Sequence, residues 1–417
     1  MPAGIRNHAI DIAVEIPCRY QPLSNMANKK RMKPLFILLV ILTITTATPA
    51  DGIARTARIS PSAVAGIDYL IEFIKPSFKA EFDPSRLAGL IDFISTSKPA
   101  GSRCRLPQRL NATPAYFEFD INRNFADILH LAYHPDIPPQ IISPGSVRCS
   151  YWSHINGAEG SLPRLWKQTG HLSKPIVVKG VETEELTPDT FSGAYYRSLL
   201  DRALILFTGK GHRILISLTR QKKTSDVGKK GLIIGKDDQW NYFYSDEKGL
   251  TKPGLGWADS YIYDTFSIMV YYESERDRPP TRACIFKWLR AGWLGFNMVK
   301  EKHIQSGFRR FVRDMKRVVE SPRLPEAENL AEISRKIKHL SRETLQVKMG
   351  QYLKQLVTRQ TAQEKRPHPW IKKAASGDGY LSRLSAPQIQ AALFLEVLKF
   401  KLGLLTREEV AYLAPLL

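Results

Sequence analysis

Cysteine is scarce in this chain, with 4 cysteines among 417 residues. A small scaffold held together by disulfides is therefore excluded. A disordered chain is excluded as well, because 43% of the residues are hydrophobic. The sequence also lacks the phosphate-binding loop, the dinucleotide fingerprint, the serine-hydrolase elbow, the zinc-protease helix and any Cys-x-x-Cys pair. These absences remove the commonest enzyme classes, so no catalytic residue and no cofactor are assigned.

Acidic residues are few relative to basic ones, with 40 Asp and Glu against 61 Lys and Arg and a formal net charge of +21. The excess is concentrated between residues 281 and 373, which hold 22 Lys and Arg but only 8 Asp and Glu. A balance of this sign favours anionic partners such as lipid headgroups or acidic polysaccharide. Nucleic acid is not expected, because no aromatic interleaving or nucleic-acid motif accompanies the basic residues.

Long hydrophobic runs are missing apart from Leu35–Leu42, which follows the basic residues 29–33 and precedes small residues up to Ala50. This run is well short of the ~20 residues that span a bilayer. The pattern predicts a cleaved signal peptide at residues 26–50, with residues 1–25 as an extension before it. The mature chain is accordingly expected in the periplasm or secreted, without a transmembrane segment. In that oxidising environment Cys104 and Cys149 either form a disulfide or stay as buried thiols.

The mature chain divides into two parts that differ in their hydrophobic pattern. Residues 51–275 mix short helical and strand patterns, with caps for two helices at Ser60 and Asp83. From residue 298 to 417 the apolar residues recur with helical period, which predicts a basic all-α module. It ends in a helical hairpin, where Thr406 starts a capping box. Residues 276–297, rich in aromatic side chains, are interpreted as a connector that packs the helical module on the sheet, with a membrane-facing role as the alternative.

The strand signal is strongest at residues 203–273. Two apolar runs, Ala203–Thr208 and Arg213–Gln221, flank a short glycine-containing turn, which is typical of a β-hairpin. Trp240–Ser245 and Tyr261–Glu273 extend the pattern as a meander. The predicted fold class is therefore α+β: an antiparallel β-meander sheet with helices on one face, followed by the basic helical module.

Candidate binding residues come from both parts. On the sheet, Arg220 and Asp264 are expected to pair at the rim of the core, and a row of amphipathic aromatic side chains can line a ligand site. That row consists of Trp240, Tyr242 and Tyr244, followed by Trp257. In the helical module, five cations form a candidate anion-binding face: Arg309, Arg310, Arg313, Lys316 and Arg317.

A metal site is not predicted. His130 and His134 are one helical turn apart, but their spacing supplies no third ligand and Pro135 ends the helix there. Ordinary core or surface histidines are the favoured interpretation.

The sequence therefore favours an exported binding protein for a small apolar or amphipathic ligand, with a basic surface for anionic lipid or polysaccharide. One alternative is a secreted hydrolase of envelope polysaccharide that uses two of five loop carboxylates, which are Asp237, Asp238, Asp246, Glu247 and Asp259. Another is a helical interaction or assembly module.

Overall fold

The structure is a computed structural model that describes residues 56–96, 103–109, 111–156, 161–170, 172–364, 368–377 and 379–417. The predicted extension and signal peptide at residues 1–50 lie outside the described residues, so export stays a prediction. Residues Ala54–Leu417 form one compact unit.

The strands are β1 (Thr56–Arg58), β2 (Arg103–Arg105), β3 (Thr113–Ile121), β4 (Val147–Asn156), β5 (Ile176–Leu186), β6 (Ala194–Tyr195), β7 (Arg197–Gly209), β8 (His212–Gln221), β9 (Lys229–Ile233), β10 (Tyr242–Lys248), β11 (Ser260–Glu275) and β12 (Arg278–Trp293). The helices are α1 (Pro61–Phe73), α2 (Ala88–Ser95), α3 (Phe125–Tyr133), α4 (Glu301–Val319), α5 (Ala327–Lys338), α6 (Arg342–Glu364), α7 (Pro369–Ala375), α8 (Tyr380–Arg383) and α9 (Ala386–Lys401).

A large antiparallel sheet organises the fold and confirms the predicted α+β class. Within the described residues it has seven strands in the order β3-β12-β11-β8-β7-β5-β4. The predicted hairpin is present as β7 and β8, joined at Gly209↔His212 by a turn in which Lys210 and Gly211 have positive φ. Since a two-residue turn with positive φ matches the twist of the strands it joins, the local sequence accounts for this hairpin.

The two faces of the sheet carry different helices, because successive strand residues point to opposite sides. On β8, Ile214, Ile216 and Leu218 belong to a core shared with α1 and α2. Leu215 points the other way, into a core shared with α3, α5, α6 and α9. The C-terminal helices therefore bury apolar surface against the sheet as well as against one another.

Two segments differ from the sequence-based expectation. The segment 276–297 is not a connector, because most of it is β12, which pairs with β11 and β3 inside the large sheet. Its aromatic residues Phe286 and Trp288 are fully buried in the core with α1 and α2. The meander also leaves the large sheet after β8, since β9 pairs with β10 on one side and with β6 on the other in a separate small sheet.

Capping residues and apolar stripes account for most of the C-terminal helices. Ser385 caps α9 and Gln388 completes its capping box. The capping box at Thr406 also forms, with the Glu409 N–H donating to Thr406 Oγ1 at 3.4 Å. The chain nevertheless continues as a turn and a 3-10 helix, Ala411–Leu416, rather than as the second helix of a hairpin, and Pro415 lies within this 3-10 helix. Across the described residues, none of the helices combines the length and apolar character needed to cross a bilayer.

Candidate functional site: a cavity between the sheet and the C-terminal helices

A cavity of about 470 Å³ lies between one end of the large sheet and helices α3, α5 and α9. This volume falls within the range of small-molecule pockets, ~300–1,000 Å³. Its lining comprises Ala132, Tyr133, His134, Pro135, Asp136, Ile137, Pro138, Pro139, Gln140, Cys149, Ser150, Tyr151, Trp152, Ile155, Ser161, Leu162, Glu182, Arg202, Ser334, Ile337, Lys338, Pro387, Gln390, Ala391 and Phe394. Apolar and aromatic side chains make up more than half of this set, so an apolar ligand would find partners on several sides.

A buried ion pair forms the polar floor of the cavity. Glu182 on β5 is 2% exposed, and its Oε2 accepts a hydrogen bond from Arg202 Nη1 on β7 at 2.5 Å. Ser150 Oγ donates to the other carboxylate oxygen, and Arg202 Nη2 donates to Ser217 Oγ at 3.1 Å. Because the two charges are paired and hydrogen-bonded, they can remain ionised inside the protein. Burial raises the pKa of the neighbouring Tyr133 hydroxyl, which therefore stays neutral.

Gly180 makes this floor possible. It lies directly opposite Arg202 in the β5–β7 register. On its other side β4 approaches closely, and a Cβ atom at residue 180 would come within 2.1 Å of the His154 carbonyl oxygen. Only glycine accommodates that approach, which holds Trp152 and Ile155 of β4 against the cavity.

Helix α9 and helix α5 close the cavity opposite the sheet. Phe394, Ala391 and Ile337 supply buried apolar surface there. The lining residues that are exposed to solvent, Tyr151 and Ser161 among them, mark the mouth. The cavity thus has a solvent-exposed mouth, apolar walls and a charged floor.

The same sheet face carries a polar row beyond the cavity lining. In register, Arg202 is opposite Thr219, Thr219 is opposite Ser267, and Ser267 is opposite Lys287 on β12. Burial, together with the charge of Glu182, raises the pKa of Glu184, two residues after Glu182, to about 7, while the charges of Lys287 and Arg202 oppose the shift. Burial also lowers the pKa of Lys287. Glu184 on β5 and Lys287 on β12 therefore influence each other's pKa, although three strands separate theirs in the sheet.

A histidine cluster lies beside the cavity and was not expected from sequence. His130, His134 and Glu328 bring their ligand-type atoms within 4.8 Å of one another. Glu328 comes from α5, and its separation of nearly two hundred residues from the histidines hides it from any spacing rule. Trp166 stacks on both rings, at 4.4 Å from His130 and 5.2 Å from His134.

The hydrogen bonds of this cluster suit a carboxylate held by imidazoles better than a metal ion. The Asp136 N–H donates to His134 Nδ1 at 3.1 Å, so the neutral ring carries its proton on Nε2. That nitrogen faces Glu328, and a metal ion bound there would require the Nδ1 proton that the Asp136 amide opposes. Burial lowers the pKa of His134, which favours the neutral ring.

The predicted aromatic row is divided by the structure. Tyr242 and Tyr244 lie on β10 and, with the fully buried Trp240, pack against α6 around a void of about 30 Å³. The Arg148 guanidinium sits over the Tyr244 ring at 3.8 Å. Trp257 is elsewhere, 76% exposed on a loop tip. None of the four lines the larger cavity.

Arg220 and Asp264 lie on neighbouring strands, β8 and β11, but Arg220 is opposite Phe266 and Asp264 is opposite Arg290. Burial raises the pKa of Asp264, while the charges of Arg220 and Arg290 oppose the shift. The two predicted partners therefore interact through charge, away from the cavity.

The candidate anion-binding face of α4 is largely neutralised by the protein itself. Arg310 donates to both carboxylate oxygens of Asp237, at 2.6 and 3.0 Å, and Arg313 also reaches Asp237 at 2.9 Å. Two more of these cations have acidic neighbours, namely Lys316 with Glu320 and Arg317 with Asp238. Arg309 is exposed. This face docks α4 onto the 3-10 turn at Asp237–Gln239, which corrects its assignment as an open anion site.

The predicted Cys104–Cys149 disulfide does not form. Cys104 lies on β2, next to the β3 edge of the large sheet, whereas Cys149 lies on β4 at the opposite edge. Burial raises the pKa of the Cys149 thiol to about 12, so this cavity-lining cysteine is a poor nucleophile.

The carboxylates of the hydrolase alternative do not face one another across the cavity, and none of the five lines it. Asp237 pairs with Arg310, Asp246 with Lys229 and Glu247 with Lys230. Asp259 is exposed. A paired-carboxylate mechanism therefore has no site among them.

Neither a protein-family model, nor a curated protein, nor a solved structure matches this chain. The chemistry of the cavity is therefore the basis for a functional assignment.

Proposed function

We propose that this chain binds a small amphipathic molecule in the cavity between the large sheet and helices α5 and α9. The observation that carries the proposal is a cavity of about 470 Å³ whose walls are mostly apolar and whose floor is the buried Glu182–Arg202 ion pair. An apolar ligand body would replace water against the partly exposed aromatic lining, such as Tyr151 and Trp152, at roughly 25 cal/mol per Å² of apolar surface buried.

The charges of the cavity floor determine which polar group of a ligand can be placed there. Glu182 and Arg202 already neutralise each other, and Ser150 and Ser217 occupy further hydrogen-bonding positions. A charged ligand group placed beside this pair would be desolvated without a counter-ion of its own. A hydroxyl or amide group can exchange hydrogen bonds there at lower cost. The ligand class that fits is therefore a neutral amphiphile.

Binding of matched twelve-carbon ligands tests this proposal. Dodecanol and dodecanoate have the same chain, and we expect dodecanol to displace a bound apolar dye such as phenylnaphthylamine at about tenfold lower concentration. Glu182→Gln should remove this preference, because it leaves the Arg202 cation free to pair with a ligand carboxylate. Tighter binding of dodecanoate than of dodecanol would contradict the assignment of a neutral ligand, and failure of the purified protein to take up any of the three would contradict the binding function.

A further inference from the structure

One buried polar side chain of the cavity lining has an unpaired acceptor. Gln140 is 5% exposed and is one of the lining residues. Among the residues that the structure describes, none donates a hydrogen bond to its Oε1 atom. Buried polar atoms are almost always hydrogen-bonded in native proteins, so this exception requires an explanation.

The backbone fixes Gln140 at the cavity. The residue belongs to a 3-10 turn, Pro139–Ile142, and its carbonyl accepts the Ser143 N–H at 3.0 Å. Pro138 and Pro139 precede it and also line the cavity. Because proline locks its own φ, this segment loses little conformational entropy when it holds the side chain in place.

The charged groups of the cavity floor differ from Gln140 because they are already paired. Glu182 accepts hydrogen bonds from Arg202 and Ser150, and Arg202 also donates to Ser217. The Gln140 amide is neutral, and its oxygen is a strong acceptor. Such a group suits an uncharged hydrogen-bond donor, which a hydroxyl or a primary amide supplies.

The cavity is the side from which a ligand can reach Gln140. The residue also borders the void of about 30 Å³ beside Tyr242 and Tyr244, which is too small for a ligand. The terminal torsion of a glutamine side chain is broad. The Oε1 atom can therefore turn toward a group in the cavity without a change of the backbone.

Folding alone does not explain a glutamine at this position. An unpaired buried acceptor destabilises the folded state, whereas an apolar side chain of the same shape would be neutral or stabilising. Positions where a local rule of folding is broken without a gain in packing are expected at functional sites. The unpaired oxygen of Gln140 therefore indicates a partner that the protein itself does not supply.

We propose that Gln140 accepts a hydrogen bond from the polar head of the ligand and so selects alcohols and primary amides over ethers and esters. This inference rests on the binding of a neutral amphiphile proposed above. It adds the chemical group that the polar head must carry and the residue that recognises it.

Displacement of bound phenylnaphthylamine by two isomers tests the selection in the parent chain. Dodecanol and methyl undecyl ether contain the same atoms, but only the alcohol has a hydrogen-bond donor. We expect dodecanol to displace the dye at about tenfold lower concentration, which is the scale of one hydrogen bond to a buried polar group. This comparison does not depend on the folding of any variant.

Gln140→Met tests the residue itself. Methionine keeps the size of the side chain and removes the acceptor, so the two isomers should displace the dye at equal concentrations. Without ligand, the variant should unfold at the temperature of the parent chain or a few degrees above it, because the unpaired polar group is gone.

Two other glutamines provide comparisons. Gln351 is exposed on α6 outside the lining, and Gln351→Met should keep the tenfold preference. Gln390 lines the same cavity but is partly exposed, so water can satisfy its amide. Gln390→Met should therefore reduce the preference less than Gln140→Met does.

Loss of the preference in Gln140→Met, with dye uptake and folding retained, supports the proposal. Equal displacement by the two isomers in the parent chain, a preference retained in Gln140→Met, or an equal loss in Gln390→Met overturns the role of Gln140 while the dye uptake still supports the binding function. Absence of dye uptake by the parent chain overturns the binding function and the role of Gln140 with it.

Discussion

At the scale of single residues, the sheet face that lines the cavity places ionisable groups in different electrostatic environments. Glu182 forms an ion pair with Arg202 at 2.5 Å, whereas burial raises the pKa of Glu184, two residues along β5, to about 7. Lys287, whose pKa is lowered by burial, faces it across the sheet. Pairing distance and desolvation therefore decide the charge of two carboxylates on the same strand.

The raised pKa of Glu184 predicts how stability depends on pH. Between its ordinary value near 4.5 and about 7, the folded state binds more protons at this residue than the unfolded chain does. The free energy of unfolding should therefore fall as pH rises through that window, by about 1 to 3 kcal/mol. Glu184→Gln should flatten this slope and be more stable than the parent chain at pH 8.

Urea unfolding at pH 5 and pH 8 measures the effect. Glu275→Gln, at the exposed end of β11, serves as the control and should keep the slope of the parent chain. A slope that is the same in Glu184→Gln and in the parent chain would show that Glu184 ionises normally.

At the scale of elements, helices are predictable where a capping residue precedes an apolar stripe. Ser60 caps α1 through its side-chain oxygen, and this helix was expected from sequence. Strand β12 was missed because its core residues Ala283, Cys284, Ile285 and Phe286 are buried in succession, without the polar alternation of a half-exposed strand. Burial on both faces removes the period on which strand recognition depends.

The pairing of elements was less predictable than the elements themselves. The basic stripe on α4 suggested a solvent-facing anion site because its partner, Asp237, precedes it by 73 residues. The cavity was likewise hidden, since its floor comes from β5 and β7, its walls from β4 and α3, and its cover from α5 and α9. No local spacing rule joins residues from so many elements.

The Asp237 contacts predict how α4 is held. Asp237→Asn removes the charge that Arg310 and Arg313 share, and Nε and Nη2 of the partly buried Arg310 lose an ionic acceptor. We expect a loss of about 2 to 3 kcal/mol of unfolding free energy. Asp238→Asn is the control: its contact with Arg317 spans 3.6 Å between exposed groups and should cost less than about 1 kcal/mol. Equal costs for the two variants would show that Asp237 does not dock the helix.

At the scale of the whole molecule, the sheet and the C-terminal helices share one apolar core. Leu204 and Leu215 of the sheet belong to the same buried cluster as Ile337 of α5 and Phe394 of α9. The cavity lies where this shared packing is incomplete. The cavity of about 470 Å³ opens to solvent at Tyr151 and Ser161 and reaches the edge of this shared core, so a ligand can enter it from the surface.

Uptake of phenylnaphthylamine by variants that obstruct the mouth of the cavity tests the binding function most directly. Ser161 is exposed and lines the cavity, whereas Ser173 is exposed but lies outside the lining, so Ser161→Trp and Ser173→Trp add the same side chain at matched sites. Ala391→Phe, which fills part of the cavity from α9, supplies a second obstruction.

The fluorescence of the bound dye is the readout, with thermal unfolding as the check on folding. We expect strong uptake by the parent chain and by Ser173→Trp, and at least about a tenfold loss of affinity in Ser161→Trp and Ala391→Phe. Uptake that is equal in all four proteins, or absent from the parent chain, would contradict a ligand site in this cavity.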